Sequence, residues 1–282
     1  MKKLLVRIGL WLVSRFQETA SSAATTEPVQ STEPDFPPIF QDTLLSGWFN
    51  SDNDELFKGF PISEDDVVLD VGCGDSPFLE FCAERGADIM FADIDADNVA
   101  VTERKLTGTN AKSLTPIVSD ANPLPLDDCI ASKVIAMEVM EHVDDPQAFL
   151  AELVRVGKSG AQYLLTVPDP VAEHLQAEGL APQSYFEKPN HVRIIERDEF
   201  INMVEASGLV IEKVESYGFY WSMWWVFFWG CKQELGSEPP HPLLANWTKT
   251  WEHLLSLEDG EKIKSILDGF MPKSQAIVAR KP

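Results

Sequence analysis

The stretch VVLDVGCGDSP, Val67 to Pro77, sets the reading of the whole chain. Its first half is a continuous apolar run, as expected of a strand buried on both faces. Gly72 and Gly74 then let the backbone turn tightly and approach a ligand, and the helix that follows begins with free N–H groups. Two phosphate-binding readings fail at this turn. A dinucleotide fingerprint needs a third glycine at position 77, which is Pro77. A Walker loop needs Gly-Lys-Ser/Thr, which does not follow.

Outward from this turn the pattern alternates. PFLEFCAERGA is helical and stops at Gly86, and DIMFADI is a second buried strand. DADNVAVTERKL is a helix with an Asp cap, LTPIVSDA a third strand and ASKVIAMEV a fourth. DPQAFLAELVRVGKSG is a helix with glycine at its end, and AQYLLTVPD is the fifth strand. A further helix, ERDEFINMVEASG, precedes the sixth strand LVIEKVESYG, and SQAIVARKP closes the chain as the seventh. Strand and helix in alternation predict a doubly wound, Rossmann-like α/β sheet. Upstream, QDTLLSGWFNSDNDELFKGF reads as a short helical prelude. ETASSAATTEPVQSTEPDFPP, rich in Ser, Thr, Ala and Pro, reads as a linker. The expected organisation is an amphipathic helix over 1–17, a linker over 18–40 and a catalytic domain over 41–282.

Composition narrows the function. Acidic residues outnumber Lys and Arg by 45 to 23 in 282 residues, a formal net charge of −22. Sequence-independent nucleic-acid binding needs the opposite balance, so no nucleic-acid partner is expected. The four cysteines, at 73, 82, 129 and 231, form no Cys-x-x-Cys pair and no zinc-finger spacing with histidine. They read as reduced core thiols of a cytoplasmic protein, and no metal is expected. MKKLLVRIGLWLVSRF is too short to span a bilayer. It carries Leu4, Leu5, Ile8, Trp11 and Leu12 on one helical face and Lys3, Arg7 and Ser14 on the other. Three readings stay open for it: packing on its own domain, peripheral contact with the inner membrane face, and a cleaved signal.

LDVGCGDSP resembles the first motif of the class I S-adenosylmethionine-dependent methyltransferases, Asp/Glu-x-Gly-x-Gly-x-Gly, with Ser76 where the fullest pattern has its third glycine. FADIDADNV, SDANPLPLDD, IAMEVMEHVDDP and NHVRIIERDEF resemble later segments of that family in order and spacing, covering roughly residues 65–217. The resemblance implies a seven-stranded sheet, mostly parallel, with an antiparallel last strand. It implies S-adenosylmethionine as cofactor, with Asp70 near the methionine ammonium, Asp93 on the ribose hydroxyls and Asp120 on the adenine amino group. Gly72, Cys73, Gly74, Ile94, Ala121 and Glu138 complete the implied cofactor contacts.

Methyl transfer needs acceptor atom, methyl carbon and sulfur nearly in line. A hydroxyl acceptor must also lose its proton, for which histidine is suited near neutral pH. His142 and His191 are the candidate bases or acceptor contacts, and Arg193 a candidate anchor for an anionic acceptor. The sixth and seventh strands are separated by residues 218–273, where the family has a short hairpin. This predicts a helical insertion leaving the cofactor face of the sheet. It opens with SYGFYWSMWWVFFWG, in which Tyr220, Trp221, Trp224 and Trp225 are candidate acceptor contacts. The aromatics fit three uses: packing of the insertion, a wall of the acceptor pocket, or shallow membrane contact. The expected activity is methylation of a small molecule or glycan at oxygen. The alternatives are a quinone-like or other lipophilic acceptor, an inactive cofactor-binding partner, and a membrane-associated scaffold.

Overall fold

The computed structural model describes residues 38–237 and 239–282. The expected amphipathic helix over 1–17 and the linker up to residue 37 lie outside the described residues. Pro38 opens the first helix, α1 (Pro38–Leu45). Proline suits this place, because the first turn needs no N–H from it.

The expected helical prelude ends there. After Gly47, at φ +94°, the chain forms three short antiparallel strands, β1 (Trp48–Asn50), β2 (Glu55–Phe57) and β3 (Phe60–Pro61). The Asn-Asp-rich turn and the aromatic residues at both strand ends favour a meander over a helix. Trp48, Phe57 and Phe60 turn inward, and Trp48 packs 4.6 Å from Phe57 and 4.7 Å from Phe78 between ring centres.

The main sheet has seven strands. β4 (Val67–Val71) is followed by α2 (Phe78–Glu84), β5 (Asp88–Asp93), α3 (Ala96–Leu106) and β6 (Ser113–Val118). The chain then returns through β7 (Ala131–Met137), α4 (Pro146–Val156) and β8 (Gly157–Pro168). α5 (Pro170–Ala177), α6 (Arg197–Ala206) and β9 (Val210–Tyr217) follow, and β10 (Ser274–Arg280) ends the fold. The order across the sheet is β6-β5-β4-β7-β8-β10-β9. β10 runs antiparallel to both its neighbours and the other strands are mutually parallel. α4 stops at Val156, one residue before Gly157, and the chain passes at once into β8. A side chain at 157 would meet the Tyr163 hydroxyl, so only glycine fits this junction.

Alternation along the strands divides the core in two. Leu69, Val134, Leu165 and Ile277 face α4 and α6, whose Phe149, Leu153, Phe200 and Val204 cover them. Val68, Ile135, Leu164 and Val278 face the other way, towards Leu79 and Cys82 of α2, Val99 of α3 and the meander. Both faces are covered, which is why the central strands read as unbroken apolar runs.

Between β9 and β10 lie α7 (Phe219–Cys231), α8 (Pro242–Leu255) and α9 (Gly260–Phe270). Asp268 of α9 accepts from the backbone N–H of Gly218 (3.0 Å) and Phe219 (2.8 Å), and so supplies the N-terminal cap of α7 from fifty residues away. Lys264 pairs with Asp268, lies 3.4 Å from Asp42 of α1 and donates to Ser46 Oγ (2.8 Å). Trp251 of α8, fully buried, donates its indole N–H to Asp42 (2.9 Å). Trp247 donates to the Tyr220 carbonyl (3.0 Å). Buried indoles need such partners, and this polar node locks the three insertion helices onto α1.

Candidate active site

In a doubly wound sheet a crevice opens where the strand order reverses, outside the carboxyl ends of the strands. Here that point lies between β4 and β7. It places Asp70, the turn over residues 72–76 and Glu138 on one edge.

Gly72 holds φ +78°, and a Cβ there would stand 2.4 Å from Val139 Cγ2, so no other residue fits. Its N–H and that of Cys73 donate to the Ala92 carbonyl (2.8 and 3.0 Å). Asp93 accepts from Gly74 N–H (2.8 Å) and Asp95 N–H (2.8 Å), so the second strand's terminal carboxylate holds the glycine turn in shape. Thr102 Oγ1 donates to the Gly74 carbonyl (2.9 Å). Cys73 is a buried thiol pushed well above its usual range by burial.

Asp70 is 3% exposed. Burial first, and then the charge of Asp93, push its carboxyl up to about 7; the Ser76 hydroxyl facing it works the other way. Ser76 Oγ is itself buried without a hydrogen bond of standard geometry. A buried carboxyl and an unsatisfied hydroxyl side by side suit a ligand that brings N–H donors and positive charge. Ser76 fits inward where the full motif has glycine, so the departure blocks nothing. At the ends of β5 and β6 a second, shallow groove is lined by Ile94, Val118, Ser119, Asp120, Pro123 and Pro125. Ile94 is 71% exposed there, an apolar platform open to a flat ring. Asp120 accepts from Asn122 N–H (3.1 Å), and Ala121, at φ +58°, is buried.

A separate cavity lies at the ends of β7 and β8. Its floor is Met137, Glu138 and Thr166 at the strand ends, with Phe78 at the start of α2. Its walls are Trp48, Tyr217, Trp221 and Trp225, and α1 contributes Asp42, Thr43 and Ser46. Glu138 sits at φ +54°, accepts from Thr166 Oγ1 (3.1 Å) and pairs with Lys273. Burial opposes the charge on Lys273, but Glu138 outweighs it and keeps the ammonium above its usual range.

The aromatic helix thus splits its side chains. Trp221 and Trp225, one turn apart, face the cavity. Tyr220 and Trp224 lie about 100° round the helix and are not among its lining residues. Tyr220 bonds Thr248 (2.7 Å) and stacks on Trp247, and Trp224 stacks on Phe228. The cavity excludes Arg193 too, whose guanidinium donates to the Asp144 carbonyl (2.9 Å).

His142 and His191 come together, ring centres 4.9 Å apart and edge to face. His142 Nδ1 lies 3.2 Å from the Pro189 carbonyl. Burial first, then His191, push its pKa down to about 4, so it is neutral at physiological pH. His191 Nδ1 lies 2.7 Å from Glu173 Oε2, and Tyr185 Oη donates to the other oxygen of Glu173 (3.3 Å). Burial opposes the charge of Glu173, yet His191 and these bonds hold its carboxyl below the usual range. Beside them Glu141 is buried, and burial followed by the charge of Glu138 drives its carboxyl well up. Lys273, Thr166, Glu173 and Trp48 escaped the sequence reading. Each sits in a segment with no motif, and only the fold brings it here.

Residues 69–165 match a family model described as a methyltransferase domain. Among curated proteins, the chain is similar to malonyl-[acyl-carrier protein] O-methyltransferase of Alcanivorax borkumensis, at 29% identity over 40% of this chain and 37% of that protein. It is also similar to ubiquinone biosynthesis O-methyltransferase of Hydrogenovibrio crunogenus, at 24% identity over 56% of this chain and 68% of that protein. The matches thus span about a third to two thirds of these relatives' lengths. A solved structure of geranyl diphosphate methyltransferase in complex with S-adenosylmethionine superposes with a TM-score of 0.53. It is 15% identical and covers 86% of this chain and 85% of its own. Residues 69–165 thus carry a methyltransferase domain, on the fold of the S-adenosylmethionine-dependent methyltransferases.

Proposed function

We propose that this methyltransferase acts on an oxygen of a small molecule with a flat apolar body, of the quinol or phenol kind. The observation that carries the reading is the cavity, whose indole walls, Trp221 and Trp225, stand over Glu138 at the strand ends. Indole faces stack on flat rings and exclude water. The ubiquinone-pathway relative supports the same choice. A sugar face also stacks on indole, which keeps a glycan acceptor as the second reading.

The residues present fit the cofactor. In this reading Asp70 holds the methionine ammonium, with Ser76 beside it, and the backbone at Gly72–Gly74 lies against the amino-acid end. Asp93, whose Oδ1 already accepts from Asp95 N–H and the Asn98 amide and whose Oδ2 accepts from Gly74 N–H, takes a ribose hydroxyl on the lone pair left on Oδ2. Ile94 and Ala121 flank the adenine, and Asp120 accepts from its amino group. When bound, S-adenosylmethionine would supply an electrophilic sulfonium methyl for transfer to the acceptor's oxygen. The chain's own work is positioning. Trp221 and Trp225 fix the acceptor body and Glu138 with Lys273 closes the cavity floor; His142 and His191, which do not line that cavity, would meet only a part of the acceptor that reaches past Glu138.

Two measurements test this. Calorimetric titration with S-adenosylmethionine should show saturable binding, and its absence would end the reading. Mass spectrometry with quinol, phenol and glycan acceptors should then find a methylated product. Trp221→Ala should raise the acceptor KM by about tenfold or more with unchanged cofactor affinity. An unchanged KM would remove the indole wall from the argument, and binding without turnover on any acceptor would favour an inactive partner subunit. Residues 1–17 are proposed as a peripheral membrane contact; equal partition onto anionic liposomes of the full chain and of residues 42–282 would refute that. No helix among the described residues is long and apolar enough to cross a membrane.

A further inference from the structure

Glu141 is the group this chemistry leaves unexplained. It is 1% exposed, and neither carboxyl oxygen accepts a hydrogen bond from any described residue. Such a group is costly unless something absent from the protein itself satisfies it.

Its neighbours show what that something is. The Pro189 carbonyl can only accept, so His142 carries its proton on Nδ1 and its lone pair on Nε2, which stands 3.6 Å from Glu141 Oε1. Glu173 is a carboxylate, so His191 too carries its proton on Nδ1 and leaves Nε2 as the lone-pair nitrogen. One ligand atom from each of Glu141, His142 and His191 lies within 4.8 Å of the others. Bonds of about 2.1 Å in a tetrahedral site would set them roughly 3.4 Å apart, so small side-chain rotations close the set. Two imidazole nitrogens and a carboxyl group converge on one point, and a cation bound there would displace the carboxyl proton.

The outer groups fit the same occupant. Metal-binding histidines usually donate their second N–H to a carboxylate or a carbonyl, and Glu173 and Pro189 provide one of each. Lys273 is already paired with Glu138, and no described side chain or backbone group satisfies Glu141. The expectation of no metal came from cysteine spacing, and this cluster uses no cysteine.

We infer that Glu141, His142 and His191 bind a divalent first-row transition cation, Zn²⁺ or Mn²⁺. Mixed imidazole and carboxylate donors favour these ions over Mg²⁺ or Ca²⁺. Three protein ligands leave at least one position open, for water or for the acceptor's oxygen. A hydroxyl bound there becomes more acidic. The use of the ion rests on the proposed methyl transfer; its binding does not.

The test uses the full chain stripped with chelator. Mn²⁺ is titrated by loss of its free electron-paramagnetic signal, and Zn²⁺ by calorimetry. Stoichiometric, saturable binding is expected, weakened at least about tenfold in Glu141→Gln and His191→Ala and measurably in Glu173→Gln. S-adenosylmethionine titration of each variant checks folding, and unchanged cofactor affinity is expected. Removing an unpaired buried carboxylate should not unfold the chain, and Glu173→Gln reports even if one ligand variant does. No saturable binding of either ion would overturn the inference, as would binding that survives both ligand variants. Metal binding without cofactor binding would sink the proposed function and leave the metal site standing.

Discussion

Asp70→Asn should stabilise the cofactor-free protein while weakening its grip on the cofactor. The buried carboxyl titrates at about 7 rather than its ordinary 3.8. The sign follows from linkage. Below 3.8 both folded and unfolded states are protonated, and Asp70 contributes nothing. Between 3.8 and 7 only the unfolded state has ionised, so stability falls as pH rises. Above 7 both are ionised and the loss is constant. About three pKa units at 1.36 kcal/mol each give a cost of about 4 kcal/mol at pH 8, against about 2 kcal/mol at pH 5. Asparagine keeps the shape without the charge. Urea denaturation of both proteins, cofactor-free, should show an advantage for Asp70→Asn that grows by about 2 to 3 kcal/mol between those two pH values. The same variant loses a charge-assisted partner for the ammonium, worth about 1.5–3 kcal/mol, so its cofactor Kd should rise roughly 10- to 150-fold. A stability difference that ignores pH, or an unchanged cofactor Kd, would refute the reasoning.

Cofactor affinity should itself depend on pH. It should rise as Asp70 ionises towards pH 7 and fall once the cofactor's amino group, at about 7.7–8, loses its proton. Calorimetry in buffers of different ionisation enthalpy would detect the linked proton, and a flat profile would contradict it. Gly72→Ala forces a Cβ to within 2.4 Å of Val139 at a left-handed φ. A loss of about 1–3 kcal/mol in urea stability is expected, together with weaker cofactor binding, and neutrality on both counts would mean the turn is not held as described. Asp268→Ala uncaps α7 and removes the tighter of the two carboxylates on buried Lys264, leaving it Asp42 at 3.4 Å and the Ser46 hydroxyl. It should cost about 3–5 kcal/mol, read by thermal melting, and a loss below 1 kcal/mol would show the cap and ion pair to be dispensable.

The sheet was legible because its strands are buried on both faces. Val68 and Leu69 point to opposite cores, so both had to be apolar, and the same holds for Leu164 and Leu165. The turn at Gly72 was legible because no side chain fits there. The meander was not: strands of two or three residues leave too little periodicity, and Phe57 meets the distant ring of Tyr217 while Phe60 lies under the ammonium of Lys133. The aromatic helix was legible as a helix near the crevice, but its near-uniform surface hid which faces pack and which line the cavity. Trp221 and Trp225 were separated from Tyr220 and Trp224 only by the place of α8. Glu173 and Lys273 reach the site from 18 residues before His191 and 135 after Glu138, distances no local pattern spans.

The insertion leaves the sheet at Tyr217 and returns at Ser274, and these two residues are partners in the β9–β10 ladder. Lys273 N–H also bonds the Tyr217 carbonyl (2.9 Å). To the sheet, therefore, the whole of α7–α9 stands where a tight hairpin could stand, with its two feet already together. Lengthening or shortening it changes closure entropy only logarithmically and leaves every strand in register. What enters the cavity and what holds the cofactor are written in separable parts of the chain, joined through Lys273 and the node at Asp268. Exchanging residues 219–272, with Gly218 and Lys273 kept as the footing, is thus a rational route to a different acceptor on an unaltered cofactor site.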